Sequence, residues 1–451
     1  NIFFFATLKI MPNVFNQSLW GDEAFSAVLS MNPVPKILEI IQKDTSPPLY
    51  NIILHYWYQL FGTSEVAIRA LSFLFFLLAV FFVYKIGSLL FSRRIGLLAA
   101  VLTFLNPFFF TYAFEGRMYS ILALGVVASM YFFLKKQWIP YVIATLWALY
   151  SHHFSIFAIF VQGIWFLYEF FAGEKKTALS MFKSFIAVFI LYIPWLIPLY
   201  KQTKMVGGGF WLGTPTLTDL RNLIYEYLAE GIKNPTIKIP LINRSLGQIS
   251  LYFVFAILLL RDWIKNIKKT LFLLSWFLLP ILITWGISQK FTSIFFNRYL
   301  LYAIPAAMLL LVSSGRKYTG IIVGFLLIFF GVIDFNYFIH PAKRPFREMA
   351  AYVKRIQKPG DFLINWNSTA HHLWESKYYE IPAPIYIPEG NLPYYVGTAQ
   401  MTDKDILRKL PDVKRIGVIT SGNITEIKLP AYKEQSEKVF GELKFVWYLK
   451  K

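Results

Sequence analysis

Runs of eighteen or more almost uncharged residues recur along this chain, each long enough to cross a hydrocarbon core as a helix. No other feature limits the fold so strongly. Apolar segments fall at roughly 66–91, 95–113, 117–134, 138–150, 153–171, 184–200, 249–261, 270–288, 295–312 and 319–338. The opening stretch "NIFFFATLKIMP" is too short to span alone and reads as the end of a first transmembrane helix. It has neither the basic start nor the small-residue cleavage site of a signal peptide. The expectation is an α-helical integral membrane protein, a polytopic bundle of about eleven transmembrane helices.

Charge sets the orientation. The net charge of +20 raises the prospect of nucleic acid, but the cations sit in short clusters between apolar runs and form no stripe, so a nucleic-acid partner is excluded. Those clusters are Lys85, Arg93 and Arg94; Lys135 and Lys136; Lys175, Lys176 and Lys183; Arg261, Lys265, Lys268 and Lys269; Arg316 and Lys317. Every second connection carries one, which makes these cytoplasmic under the positive-inside rule. Residues 14–65, 113–117, 151–153, 201–248, 289–298 and everything after 339 then lie outside the cell membrane. With no cysteine, a metal must sit on oxygen or imidazole.

The first outer loop, 14–65, is structured by its pattern. "VPKILEIIQ" and "LYNIILHYWYQLF" are amphipathic or apolar at helical spacing and read as helices lying in the interface among membrane lipids. The second large outer loop, 201–248, opens "KQTKMVGGGFWLGTPT", where three glycines suit either a lid or a linker. Composition changes after residue 340. "FREMAAYVKRIQ" reads as an amphipathic helix and "DFLIN", "RIGVIT" and "LKFVWYL" as strands, a small extracytoplasmic α/β domain over 341–451 following a transmembrane domain over 1–340.

Carboxylates are scarce, and an ionised one near a bilayer needs water, a partner or a metal. Asp22 and Glu23 in "SLWGDEAFS", Asp44 in "KDTSPPLYN" and Glu115 in "NPFFFTYAFEGRMYS" all fall on the outer face. Solvated loop acids are the plain alternative, but convergence on one face favours chemistry. Arg117 and Tyr119 accompany Glu115, and Arg298 with Tyr299 in "FFNRYLLYAIP" stands at the outer mouth of an apolar helix, where phosphate recognition suits a guanidinium. His55 and His152 are weaker candidates for the same cavity, and His371 and His372 lack zinc spacing. A divalent ion (Mg, Mn or Zn) on Asp22, Asp44, Glu115 and His152 is a further candidate; no organic cofactor is indicated.

The motifs "LWGDEAFS", "DTSPPLYNIILHYWYQLFG", "SEVAIRALS", "NRYLLYAIP" and "PFREMAAYVKRIQKPGDFLI", in this order, resemble the bacterial members of the dolichyl-phosphate-mannose-protein mannosyltransferase and aminoarabinose transferase superfamily. The resemblance implies the C-type glycosyltransferase fold and transfer of a sugar from a polyprenyl-phosphate carrier to an acceptor on a protein, glycan or lipid. It also implies that Asp22 is a catalytic base and Glu115 a second acid near the anomeric centre. Arg298, Arg117 and Tyr299 would bind donor phosphate; Glu23, Asp44, Tyr119 and His55 would support substrate. Ser46-Pro47-Pro48 stands where aminoarabinose transferases carry Glu-Lys-Pro, which argues against lipid A and aminoarabinose. A lipid-linked sugar transporter or flippase is the alternative; paired broken helices at mid-membrane would mark it, and none is read here.

Overall fold

The structure is a computed structural model that describes residues 13–232, 241–313, 318–366 and 370–451. The opening apolar stretch and the Arg316–Lys317 cluster lie outside the described residues. Helices run in order α1 (Gly21–Ser30), α2 (Val34–Ile41), α3 (Leu49–Phe61), α4 (Glu65–Leu90), α5 (Arg93–Phe104), α6 (Pro107–Ala113), α7 (Tyr119–Leu134), α8 (Trp138–Ser151) and α9 (Ser155–Phe171). They continue as α10 (Lys175–Gly207), α11 (Leu217–Tyr225), α12 (Leu241–Leu260), α13 (Ile267–Ile287), α14 (Ile304–Val312), α15 (Thr319–Ile339), α16 (Phe346–Ile356) and α17 (Ala370–Tyr378).

Among the described residues α4, α10, α12, α13 and α15 are long and apolar enough to cross a membrane, and the bent pair α5–α6 makes a sixth. This is a multi-pass membrane protein. Four shorter apolar helices, α7, α8, α9 and residues Leu301–Val312, occupy the other spans read from the sequence, so five of the expected crossings are single helices of full spanning length and one is the bent pair. One expected span, 95–113, is broken by 66° at Leu105 and Asn106, because Pro107 cannot donate to the preceding turn. Asn106 restarts the helix, accepting from the Phe109 N–H at 3.0 Å and donating to the Tyr227 carbonyl at 2.8 Å. The bend delivers residues 114–118 to the site. The span expected at 295–312 opens as two 3-10 turns over Asn297–Ala303, and α14 is correspondingly short.

The bundle centres on α7, which is buried around nearly its whole circumference. Gly125 lets it approach α8 so closely that a Cβ there would stand 2.8 Å from the Ala148 Cα. Buried polar groups are paired between helices: Gln162 of α9 donates to Ser129 of α7 at 2.9 Å and accepts from Tyr141 of α8 at 2.8 Å.

Strands β1 (Phe362–Trp366), β2 (Ile385–Tyr386), β3 (Ile406–Leu407), β4 (Arg415–Thr420), β5 (Tyr432–Phe440) and β6 (Leu443–Lys450) form one sheet in the order β3-β2-β1-β4-β6-β5. The first four are mutually parallel, and the β5–β6 hairpin adds antiparallel to β4. Leu363, Phe445 and Trp447 pack on one face with Phe346 and Val353 of α16. Ile364, Val418 and Val446 fill the other. This sheet region is joined to the segment around α1. Tyr379 Oη accepts from the Leu19 N–H at 2.8 Å, Arg347 donates to the Asn16 carbonyl at 2.8 Å, and the Trp374 ring meets Phe25 of α1 edge-on at 5.3 Å.

Candidate active site

Helix α1 begins on its two acids. Glu23, at the third helical position, accepts from the Trp20 backbone N–H at 3.4 Å, and both carboxylates complement the exposed N–H groups of the first turn. Consecutive helical residues point about 100° apart, and here that rotation separates two roles.

Glu23 points inward. Its carboxylate takes Nε and Nη2 of Arg69 on α4 at 3.0 and 2.6 Å, and the Gly116 N–H at 2.9 Å, in a setting without solvent. Burial opposes the charge, but Arg69 outweighs it with help from Lys343, and the Glu23 pKa lies below its ordinary value. Arg69 is otherwise satisfied by the carbonyls of Phe15, Gln17 and Ser18. It clamps the loop that precedes α1.

Asp22 points outward into a polar cavity of about 360 Å³ whose lining includes Trp20, Phe25, Asp44, Arg117, Arg298 and Tyr299. Arg298 Nη2 stands 3.1 Å from Asp22 Oδ2. The guanidinium lies among the rings of Phe296, Tyr119 and Trp20, 4.7, 5.4 and 5.6 Å from their centroids, and its Nε has no hydrogen-bond partner among the described residues. Arg117 donates to Ser26 Oγ at 2.7 Å and to the Asp22 carbonyl at 3.3 Å, and its Nε is likewise unpartnered. Asp44 accepts from Ser46 Oγ at 3.2 Å. Burial raises the Asp44 pKa, against the pull of Arg117.

A second cavity of about 740 Å³ opens beside the first, walled by Leu149, Ile156, Phe185, Phe189 and Leu199 among other apolar groups. The two share Thr45, Arg117, Phe210 and Tyr299. His152 and His153 line the apolar one. Burial lowers both imidazoles, that of His153 to about 4.

The structure thus gathers Asp22, Asp44, Arg117, Arg298 and Tyr299 around one space. Glu115 is not in its lining: the buried carboxylate accepts from Trp20 Nε1 at 2.7 Å and from Lys343 Nζ at 2.8 Å, one layer behind the cavity. Tyr119 stands under Arg298 without lining either cavity. His55 bonds the Ser30 carbonyl at 3.0 Å, stitching α3 to α1 away from the site. Of the candidate metal set of Asp22, Asp44, Glu115 and His152, no three side chains gather as ligands among the described residues. Lys343 and Trp20 occupy Glu115, the Phe154 N–H occupies His152 Nδ1 at 3.1 Å, and the two aspartates face guanidiniums that supply the positive charge a cation would bring.

Sequence reasoning missed Arg69, Lys343 and Trp374. Arg69 carried a signal, a lone cation inside an apolar helix that demands a buried partner. Lys343 and Trp374 carried none.

Residues 45–197 match the sequence profile of the dolichyl-phosphate-mannose-protein mannosyltransferase family. No curated protein matches the sequence. Among solved structures, the oligosaccharyltransferase of Archaeoglobus fulgidus, crystallised with Zn and sulfate, has a TM-score of 0.51 at 14% identity, over 83% of this chain and 59% of its own. The same organism's oligosaccharyltransferase AglB, in complex with an inhibitory peptide and a dolichol-phosphate, aligns over 90% of this chain and 66% of its own at 12% identity and a TM-score of 0.51. ArnT from Cupriavidus metallidurans bound to undecaprenyl phosphate aligns over 96% and 95% at 10% identity, with a TM-score of 0.47. The resemblance seen in the motifs thus recurs in the family profile, and the fold is shared with the oligosaccharyltransferases.

Proposed function

We propose that this chain is a membrane glycosyltransferase that moves a sugar from a polyprenyl-phosphate carrier to an acceptor hydroxyl on the extracytoplasmic side of the plasma membrane. The observation that carries this reading is the junction of the two cavities: an apolar space meets a polar one at Arg117 and Tyr299, with Arg298 and Asp22 just beyond. A ligand that is hydrocarbon at one end, anionic in the middle and hydroxylated at the other matches that sequence of surfaces. The family match over 45–197 supports the same chemistry. AglB was captured with a dolichol-phosphate, and a carrier of that class is the ligand assigned here.

In the resting site Arg298 is paired with Asp22. Arrival of the carrier phosphate gives the guanidinium a second anion, freeing the Asp22 carboxylate to accept the acceptor's hydroxyl proton as its oxygen bonds the anomeric carbon. The anomeric carbon–oxygen bond breaks with its electron pair leaving on phosphate, where Arg298 and Arg117 stabilise the growing charge. No general acid is required, and a single displacement inverts the anomeric centre. Glu115 acts in this reading as a positioning residue, holding Trp20 against Arg298. The division into a transmembrane part, 1–340, and an extracytoplasmic part, 341–451, belongs to the same proposal.

Purified protein in lipid, given a radiolabelled polyprenyl-phosphate sugar and an acceptor, should release free polyprenyl phosphate and form a product of inverted configuration. Asp22→Asn should cut turnover by about two to four orders of magnitude with the fold retained. Normal turnover in that variant, or a product of retained configuration, would remove the assignment.

A further inference from the structure

The sheet region carries a second cluster of reactive side chains. Chain order and sheet order part company there: β1, β2 and β3 proceed toward one edge, whereas β4 returns to the opposite side of β1 and lies parallel to it. Strand order therefore reverses between β1 and β4. In open parallel sheets a crevice forms at such a point, beyond the carboxyl ends of the two strands, and ligands bind in it.

Three side chains meet at that place. Ser421 immediately follows β4, and His372 and Glu375 belong to α17, the helix that follows β1. His372 Nδ1 lies 2.5 Å from Glu375 Oε2, and its Nε2 lies 3.1 Å from Ser421 Oγ. With Glu375 ionised, its carboxylate only accepts, so Nδ1 carries the ring proton and Nε2 turns a lone pair toward the serine hydroxyl. Imidazole and carboxylate are buried, while Ser421 is partly exposed. The turn bearing the serine is pinned on both sides: Thr420 Oγ1 accepts from the Gly422 N–H at 3.0 Å, and Lys444 Nζ donates to the Gly422 carbonyl at 2.9 Å. Trp374, two positions from His372, lies about 200° round the helix, so one face of α17 serves the polar cavity and the other the sheet. None of Ser421, His372 and Glu375 lines either cavity.

We infer that these three residues form a second catalytic site, independent of sugar transfer, that hydrolyses carboxylic esters. A serine hydroxyl is a weak nucleophile until an oriented base stands within hydrogen-bond reach, and that is the arrangement here. Ser421 Oγ attacks the ester carbonyl carbon as His372 Nε2 takes its proton. Collapse of the tetrahedral adduct breaks the bond to the alkoxy oxygen, which takes that proton and leaves as an alcohol. Water, giving a proton to the same nitrogen, then attacks the acyl-serine; the carboxylic acid departs and the proton returns to Oγ. Glu375 touches no substrate. It is a positioning residue that holds the ring in one tautomer and stabilises the imidazolium of each step.

The test exposes the full chain in lipid nanodiscs to a fluorophosphonate probe and to p-nitrophenyl acetate. Wild-type protein should be labelled covalently at Ser421, read by peptide mass spectrometry, and should hydrolyse the ester. Ser421→Ala, a small change at a partly exposed position, should abolish both with the melting temperature retained. His372→Gln and Glu375→Gln should slow labelling of the folded protein about a hundredfold or more, and Glu375→Asp should restore part of that loss. A hydrogen-bonded staple between α17 and β4 with no catalytic role would leave Ser421 as inert as any surface serine. Wild-type protein that takes no label, label that survives in Ser421→Ala, or undiminished labelling in Glu375→Gln would overturn the inference. Should the His372 variant unfold, the Ser421 and Glu375 comparisons decide.

Discussion

Asp22 and Arg298 meet at 3.1 Å from opposite ends of the helical chain, and the guanidinium is seated among three aromatic rings as it does so. A cation held by ring faces can exchange one anion for another without moving far.

Replacing Arg298 by alanine should therefore weaken carrier binding about ten- to hundredfold, the loss of a charge-assisted hydrogen bond to phosphate. Arg298→Lys should recover part of the affinity, since it restores the charge but not the planar fork. Binding isotherms for bare polyprenyl phosphate provide the check; equal affinity in the alanine variant would exclude the contact.

The Glu23–Arg69 pair has the opposite character, being fully enclosed. Glu23→Gln leaves a buried guanidinium without its counter-charge and should destabilise the fold by about 3–5 kcal/mol. Replacing both by methionine and leucine should cost less than that single change. Thermal unfolding of the detergent-solubilised variants reads the difference.

Glu115 separates positioning from chemistry. Glu115→Gln keeps an acceptor for the Trp20 indole but leaves Lys343 buried without its counter-charge, so the variant should be less stable while turnover per folded molecule falls about tenfold or less. Asp22→Asn, by contrast, should fall by orders of magnitude. A loss at Glu115 as deep as that at Asp22, with wild-type carrier binding, would return it to a catalytic role.

Asp44 predicts a pH dependence. Its folded pKa is raised above the ordinary carboxylate value, so the folded state holds a proton that the unfolded chain has released. Stability then declines as pH rises from the ordinary value through the raised one, and is level above it. Asp44→Asn should abolish that decline, as melting temperatures taken from pH 4 upward would reveal.

Much of the fold could be read from periodicity. Helices α2 and α3 lie where "VPKILEIIQ" and "LYNIILHYWYQLF" put them, and β1, β4 and β6 where apolar runs did. Strand β5, "YKEQSEKVF", escaped notice because an exposed edge strand needs no apolar face. Helix α17 is similarly polar in pattern, although it carries the Trp that reaches the cavity. At the site, residue type identified Asp22, Asp44, Arg117, Arg298 and Tyr299 as a group. It did not tell Asp22 from Glu23, because which neighbour faces inward is fixed by the position of Arg69 on another helix. Glu115 looked equivalent to Asp22 for the same reason: Lys343, which engages it, arrives from more than two hundred residues downstream.

The two imidazoles that border the apolar cavity are kept neutral by their enclosure, so mild acidification adds no charge to a wall whose cation is Arg117. Between neutral and mildly sour conditions the greasy space therefore keeps its character, whereas the chamber next door holds Asp44, whose protonation burial already favours.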